Sequence, residues 1–286
     1  EMIKTNDKPG KISKETLWSI IKRCEFSVEE EFRIKNYCKK KNIIYLSTPF
    51  SREAADRLNK IGVSAFKIGS GECNNYPLLK HIASFGKPII LSTGMNDVQS
   101  ISDSVKIFED AKIQYALLHV TSMYPTPYDK VRLGALTELG KKFPNAVLGL
   151  SDHSFGNYAC FAAIPLGARI LEKHFTSNKN WPGPDVPISI DPLELHDLIV
   201  GSKAIYQALG GNKTILKEEK PTIDFAYASV VTISDIKKGD VFSEKNIWVK
   251  RPGTGEIRAK QFFDIINKKS LTNIKKNTQL RWNMIE

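Results

Sequence analysis

Two short segments end apolar runs in a charged residue beside a histidine: Val147-Leu-Gly-Leu-Ser151-Asp152-His153 and Arg169-Ile-Leu171-Glu172-Lys173-His174-Phe175-Thr176. Each reads as a buried strand whose last residues turn polar. Imidazole carries protons near neutral pH and ligates divalent ions. Two histidines in equivalent places on consecutive strands are therefore suited to hold one ion between them. Lys67 lies inside the apolar run Ala65-Phe66-Lys67-Ile68, and a buried ammonium needs an anionic partner; phosphate is the partner this reading assigns. Gly69-Ser70-Gly71 follows at once and adds a hydroxyl and free backbone amides. His119 ends another apolar run, is placed pointing into the interior and is read as structural. His81 and His196 fall on helical stretches and are read as surface residues. Glu72 and Glu172 are left open between base and ion-pair partner. Strand alternation turns Lys173 away from His174, and Asp152 away from Ser151 and His153, so both are read as structural or supporting.

The elements that must place these groups alternate between two periodicities. Leu17 to Cys38 and Ser51 to Ile61 carry helical spacing, and Leu193 to Leu209 reads as a last amphipathic helix stopped by Gly210-Gly211. Six strand candidates are read: Ile43 to Leu46, Ala65 to Ile68, Pro88 to Leu91, Tyr115 to Val120, Ala146 to Leu150 and Ala168 to Leu171. Repeated strand-helix units predict an α/β fold with a parallel sheet. Polar residues follow every strand, at the edge where barrels and doubly wound sheets alike place their chemistry. The expected organisation is a barrel-type domain over 1–211, a polar linker over 212–224 and a small, mostly β module over 225–286.

Composition narrows the class. The 286 residues are 41% hydrophobic and 26% charged, enough for one large and one small globular domain. No apolar run approaches the ~20 residues of a membrane span, and Glu1-Met-Ile-Lys-Thr5 has no signal-peptide core, so a cytoplasmic protein is expected. Cys24, Cys38, Cys73 and Cys160 lack short paired spacing and are read as reduced packing residues. The net charge of +11 is read as lysine spread over polar helix faces. Without an aromatic-and-basic surface it does not make a nucleic-acid binder.

The ordered strings Ser47-Thr-Pro-Phe50, Lys67-Ile-Gly-Ser70-Gly-Glu72, Leu91-Ser92-Thr-Gly94-Met, Tyr124-Pro-Thr-Pro-Tyr128, Gly149-Leu-Ser151-Asp-His153, Glu172-Lys-His174-Phe-Thr176 and Gly183-Pro-Asp185 together resemble the sialic acid synthase family. The stretch from Ala228-Ser-Val-Val to Trp248-Val-Lys-Arg251-Pro-Gly253 resembles the antifreeze-like (SAF) domain that ends its members. The resemblance implies a TIM (β/α)8-type barrel that condenses phosphoenolpyruvate with an N-acetylated mannose-type sugar. It further implies a divalent metal, Mn²⁺ foremost with Mg²⁺ or Co²⁺ as alternatives, on His153 and His174. Lys67, Thr48, Ser70, Ser92 and Ser151 would hold phosphoenolpyruvate, Tyr124 and Asp185 would contact the sugar, and Arg251 would reach across a domain-swapped homodimer. Ser122 stands where related synthases place an asparagine, and is carried as a hydroxyl donor to substrate.

Family members begin with a β-α-β segment that has no counterpart in these residues, so the expectation is a barrel lacking its first two strands and a chain truncated at its start. The leading activity is N-acetylneuraminate synthesis. The alternatives are a legionaminate or pseudaminate synthase, an octulosonate- or heptulosonate-forming barrel, and a sugar-binding remnant without activity.

Overall fold

The computed structural model describes residues 16–286; the leader reading of Glu1 to Thr5 lies outside them. The chain divides into two compact units, the first ending at Gly210 and the second running Gly211–Glu286.

The first unit opens with α1 (Leu17–Cys24), α2 (Val28–Lys40) and α3 (Arg52–Ile61). Strands β1 (Phe66–Ile68), β2 (Ile89–Ser92), β3 (Tyr115–Val120), β4 (Val147–Asp152) and β5 (Ile170–Lys173) follow. Between them lie α4 (Tyr76–Ala83), α5 (Val98–Asp110), the short α6 (Tyr128–Val131), α7 (Gly134–Lys142) and α8 (Tyr158–Ala163), and α9 (Pro192–Ala208) ends the unit. The one helix expected over Leu17 to Cys38 is two. Ser27 accepts from Glu30 N at 3.2 Å while the Glu30 carboxylate accepts from Ser27 N at 2.8 Å, a capping box that starts a new helix.

The five strands pair in parallel in chain order, β1-β2-β3-β4-β5. The strand expected at Ile43 to Leu46 is absent from this sheet: β1 pairs only with β2, and Ile43 and Ile44 stand 62% and 73% exposed. A one-residue parallel bridge, Phe175–Ile190, extends the sheet past β5. The sheet is strongly curled. At ~4.8 Å per neighbour, β1 and β5 of a flat sheet would stand about 19 Å apart, yet Lys67 Nζ on β1 lies 3.4 Å from Glu172 Oε2 on β5.

Curling gives the sheet two unlike faces. Pairing register puts Lys67, Ile90, Ser92, Leu118, Val120, Gly149, Ser151, Ile170 and Glu172 on the concave side. At its amino-terminal end that side opens into a cavity of about 710 Å³ lined by residues that include Ala65, Ile90, Ala116, Val147 and Ile170. The convex side packs under the helices, burying Phe66, Ile68, Leu91 and Leu117 with Leu58, Leu79, Ile82 and Phe108. A second cluster gathers Leu150, Leu136, Cys160 and Leu198. Full burial of such side chains stabilises by roughly 1.5–3 kcal/mol each. Between α2 and α3, Glu31 and Arg57 pair at 3.0 Å.

In the second unit α10 (Lys220–Ala226) occupies part of the stretch read as a linker. Strands β6 (Ser229–Thr232) and β7 (Ile247–Lys250) pair antiparallel around a core of Val230, Phe242, Ile247, Ile257 and Leu280. Beyond these two strands the module is joined by single antiparallel bridges such as Ile236–Ile274 and Val241–Lys269. All four cysteines are free, with Cys73 and Cys160 buried. No helix among the described residues is long and apolar enough to cross a membrane.

His119 is structural, but it faces the helices rather than the concave side. It is 4% exposed and its Nε2 donates to Val131 O at 2.7 Å. Burial lowers its pKa, against the raising effect of that hydrogen bond. The neutral ring is thus favoured in the folded chain. Its stabilising contribution is complete above the ordinary histidine pKa of ~6.5 and is lost as pH falls toward the depressed folded value. NMR titration of the His119 ring is expected to give a midpoint below 6.5, with the chain melting progressively earlier as pH is lowered from 7 to 5.

Candidate active site

The carboxyl ends of β1 to β5 bring most of the expected residues to one mouth. Lys67, central in β1, points to the concave side, where Nζ donates to Ser92 Oγ at 2.8 Å and Ile68 O at 3.2 Å and pairs with Glu172. Burial pulls the Lys67 pKa down, opposed by the Glu172 charge. Glu172 thereby resolves as the ion-pair partner of Lys67. Glu72 instead accepts from Asn75 Nδ2 at 2.6 Å and is tied into its own loop.

Next to Lys67 is a hydroxyl cluster that depends on a glycine. Gly94 N donates to Ser70 Oγ at 2.9 Å. A Cβ added at Gly94 would stand 2.3 Å from Ser122 Oγ, 2.9 Å from Ser70 Oγ and 3.1 Å from Val120 Cβ, so only a bare backbone lets the two hydroxyls approach. Asn96, which the sequence reading missed, fixes the loop by donating to Ser70 O at 3.0 Å and Gly94 O at 2.7 Å. Its only sequence signal is an amide side chain two residues after a strand-end glycine. Thr48 belongs to the same neighbourhood through Gly69, where an added Cβ would lie 3.8 Å from Thr48 Cγ2. Ser151, 5% exposed, sits on the concave face between Val120 and Glu172.

The two histidines converge from the next residues of β4 and β5. Their ring centroids are 5.3 Å apart with the planes at 65°. Tyr124 lies against both, 4.2 Å from His153 and 5.9 Å from His174. His153 Nδ1 donates to Thr121 O at 3.1 Å, which leaves Nε2 with its lone pair free for a ligand. Asp185 Oδ2 lies 3.6 Å from His174 Nδ1, near the second ring but beyond hydrogen-bond reach. Burial depresses the His153 pKa, with His174 contributing in the same direction against the Thr121 hydrogen bond. Both effects favour the neutral, ligating imidazole. The Tyr124 phenol is pushed up by burial and by the Asp185 and Glu172 charges.

Among the described residues no group of three or more His, Cys, Asp or Glu is placed to hold a metal. Two ring nitrogens, the one on His153 oriented by the Thr121 carbonyl, nonetheless fit an ion whose remaining positions are filled by water and substrate oxygens. Arg251 belongs to the second unit, where it stands exposed ahead of Pro252, whose carbonyl accepts from Ser229 Oγ at 3.0 Å.

The sequence profile of the NeuB family matches residues 2–214, and that of the SAF domain residues 227–286. An N,N'-diacetyllegionaminic acid synthase of Campylobacter jejuni is 40% identical over 271 residues, covering 93% of this chain and 80% of that protein. An uncharacterized protein of Methanocaldococcus jannaschii is also 40% identical, with 94% and 80% covered. Among solved structures, an N-acetylneuraminic acid synthetase of Leptospira borgpetersenii in complex with citrate is similar at a TM-score of 0.68 and 34% identity, with 72% of each chain covered.

The hydroxyl cluster makes a direct prediction. Gly94→Ala is expected to displace the Ser122 and Ser70 hydroxyls while the far-UV circular dichroism stays unchanged. Losing such contacts costs about 1–2 kcal/mol, which scanning calorimetry should register as a lower melting temperature of the variant.

Proposed function

The chain belongs to the NeuB family, the sialic acid synthases, and ends in an SAF domain; on that footing we propose that it condenses phosphoenolpyruvate with N-acetylmannosamine and water, giving N-acetylneuraminate and phosphate. One observation supports this above the others. Lys67 and the hydroxyls of Ser70, Ser92 and Ser122, suited to an enol phosphate, share a strand mouth with two imidazoles 5.3 Å apart, of which His153 has its Nε2 left free by the bond at Nδ1.

In this reaction C3 of the enol bonds to the aldehyde carbon of the sugar, water adds at C2, and the C2–O bond breaks so that its electron pair leaves with phosphate. Lys67 meets the phosphate as a point charge, and its approach loosens the hold of Glu172, whose half-exposed carboxylate is solvated in compensation. Ser70, Ser92, Ser122, Ser151 and Thr48 direct hydroxyls at the phosphate and carboxylate oxygens. Tyr124 and Asp185 line the sugar side, and Asp185 lies near the His174 ring. His153 and His174 would hold a divalent ion, Mn²⁺ before Mg²⁺ or Co²⁺, and such an ion supplies Lewis acidity at the sugar carbonyl when bound.

On this proposal the curled sheet is the larger part of a (β/α)8 barrel wall. Arg251 serves a partner's site in a domain-swapped homodimer, and the enzyme works in the cytoplasm. Legionaminate synthesis is the second reading, favoured by the 40% identity to the Campylobacter enzyme.

Phosphate release from phosphoenolpyruvate, measured with Mn²⁺ and a panel of N-acetylmannosamine and diacetamido sugars, tests the proposal and separates the two acceptors. Sugar binding independent of both metal and phosphoenolpyruvate would point to a binding protein instead. Lys67→Met is expected to lower kcat/KM for phosphoenolpyruvate by about 100-fold or more, with the fold kept because Glu172 has access to solvent.

A further inference from the structure

We propose that the buried ion pair Asp152–Lys173, on the convex side of the sheet, is a positioning device that sets the spacing of the His153 and His174 rings. The two residues face each other on the last rung of the β4–β5 ladder, and each immediately precedes one of the histidines. Lys173 Nζ lies 2.9 Å from Asp152 Oδ2, and the two side chains are 2% and 1% exposed.

The pair does more than cross-link two strands. Lys173 Nζ also donates to Ser154 O at 2.6 Å, while Ser154 N and Oγ donate to Asp152 Oδ1 and Oδ2 at 2.9 and 3.0 Å. His153 is thus gripped from residues 152 and 154 at once, and the grip is anchored on the strand that carries His174. Cys160 Sγ, 3.7 Å from Asp152 Oδ2, closes the cage from α8. Each histidine backbone has one further tie, and each leads to a different loop: Thr126 N donates to His153 O at 3.0 Å, and Ile190 N to His174 O at 2.8 Å. Between the two strand ends, the ion pair is a direct cross-strand side-chain link.

Stability alone does not account for ions in this place. Apolar side chains of similar volume commonly replace a buried ion pair with no loss of stability, whereas removing one partner is strongly destabilising. What the ions add is direction: five hydrogen bonds of fixed geometry where an apolar contact would permit sliding. Two ligating rings a few ångströms apart need that restraint, because neighbours that orient a metal-binding histidine typically govern affinity by 10–100-fold. The spacing claim stands on geometry alone, and only what the rings hold rests on the synthase proposal.

The test uses the full chain with labelled histidine, whose five imidazoles are followed by NMR. Asp152→Asn combined with Lys173→Met removes both charges and orphans neither. The His153 and His174 resonances are expected to shift and broaden, those of His81 and His196 to stay in place, and Mn²⁺ alone, followed by electron paramagnetic resonance, to bind about 10–100-fold more weakly. Unchanged His153 and His174 resonances with parental Mn²⁺ affinity would overturn the proposal. If the double variant does not fold, Ser154→Ala decides: it deletes one donor to the carboxylate and keeps both charges paired. A displaced His153 resonance supports the pair's role, and an unmoved one overturns it. A parent chain that binds no Mn²⁺ while the resonances still move counts against the synthase proposal and leaves the positioning role standing.

Discussion

The structure of the first unit turns on the contact between Lys67 and Glu172. These residues sit on the two outermost strands of a five-stranded ladder, and their 3.4 Å approach is possible only because the sheet bends back on itself. That curvature gathers strand ends that are far apart in sequence into one mouth. It also places an ammonium where burial opposes its charge, a cost accepted at functional sites and rarely elsewhere. Glu172 offsets part of that cost.

Strand alternation then divides the labour. Residues of one parity face inward and supply Lys67, Ser92, Ser151 and Glu172; residues of the other parity face the helices and supply Phe66, Leu91, His119, Asp152 and Lys173. Polar groups occur on both faces, but with different consequences. On the concave face Lys67 meets Ser92 and a Glu172 carboxylate that stays in contact with solvent. On the convex face Asp152 and Lys173 match each other out of contact with solvent. The same segment, Ser151-Asp152-His153, therefore contributes to the mouth, then to the scaffold, then to the mouth again.

Much of this was legible in the sequence because it follows from local periodicity. The apolar runs at Tyr115 to Val120 and Ala146 to Leu150, closed by polar residues, gave both the strands and the edge where chemistry collects. Strand parity alone separated Lys173 from His174. Other features were not legible, for physical reasons. Ile43 to Leu46 has the apolar character of a strand, but strand formation depends on a neighbour to pair with, which no local pattern reports. His119 lies within β3 opposite Leu150 and so meets the helices, a face set by register with β4. The break at Ser27 was written in Ser27-Val-Glu-Glu30, a capping signal masked by the continuous helical spacing around it. The role of Gly94 arises from two serines brought together from separate loops, a tertiary coincidence beyond the reach of spacing.

The central claim is that one ion and one enol phosphate share the mouth formed by His153, His174 and Lys67. A crystal structure of the chain with Mn²⁺ and phosphoenolpyruvate, with the metal located by anomalous scattering, tests it most directly. The account predicts a single peak between the Nε2 atoms of His153 and His174, with the phosphate against Lys67 and Ser92. A metal peak away from both rings, or a phosphate away from Lys67, would contradict it.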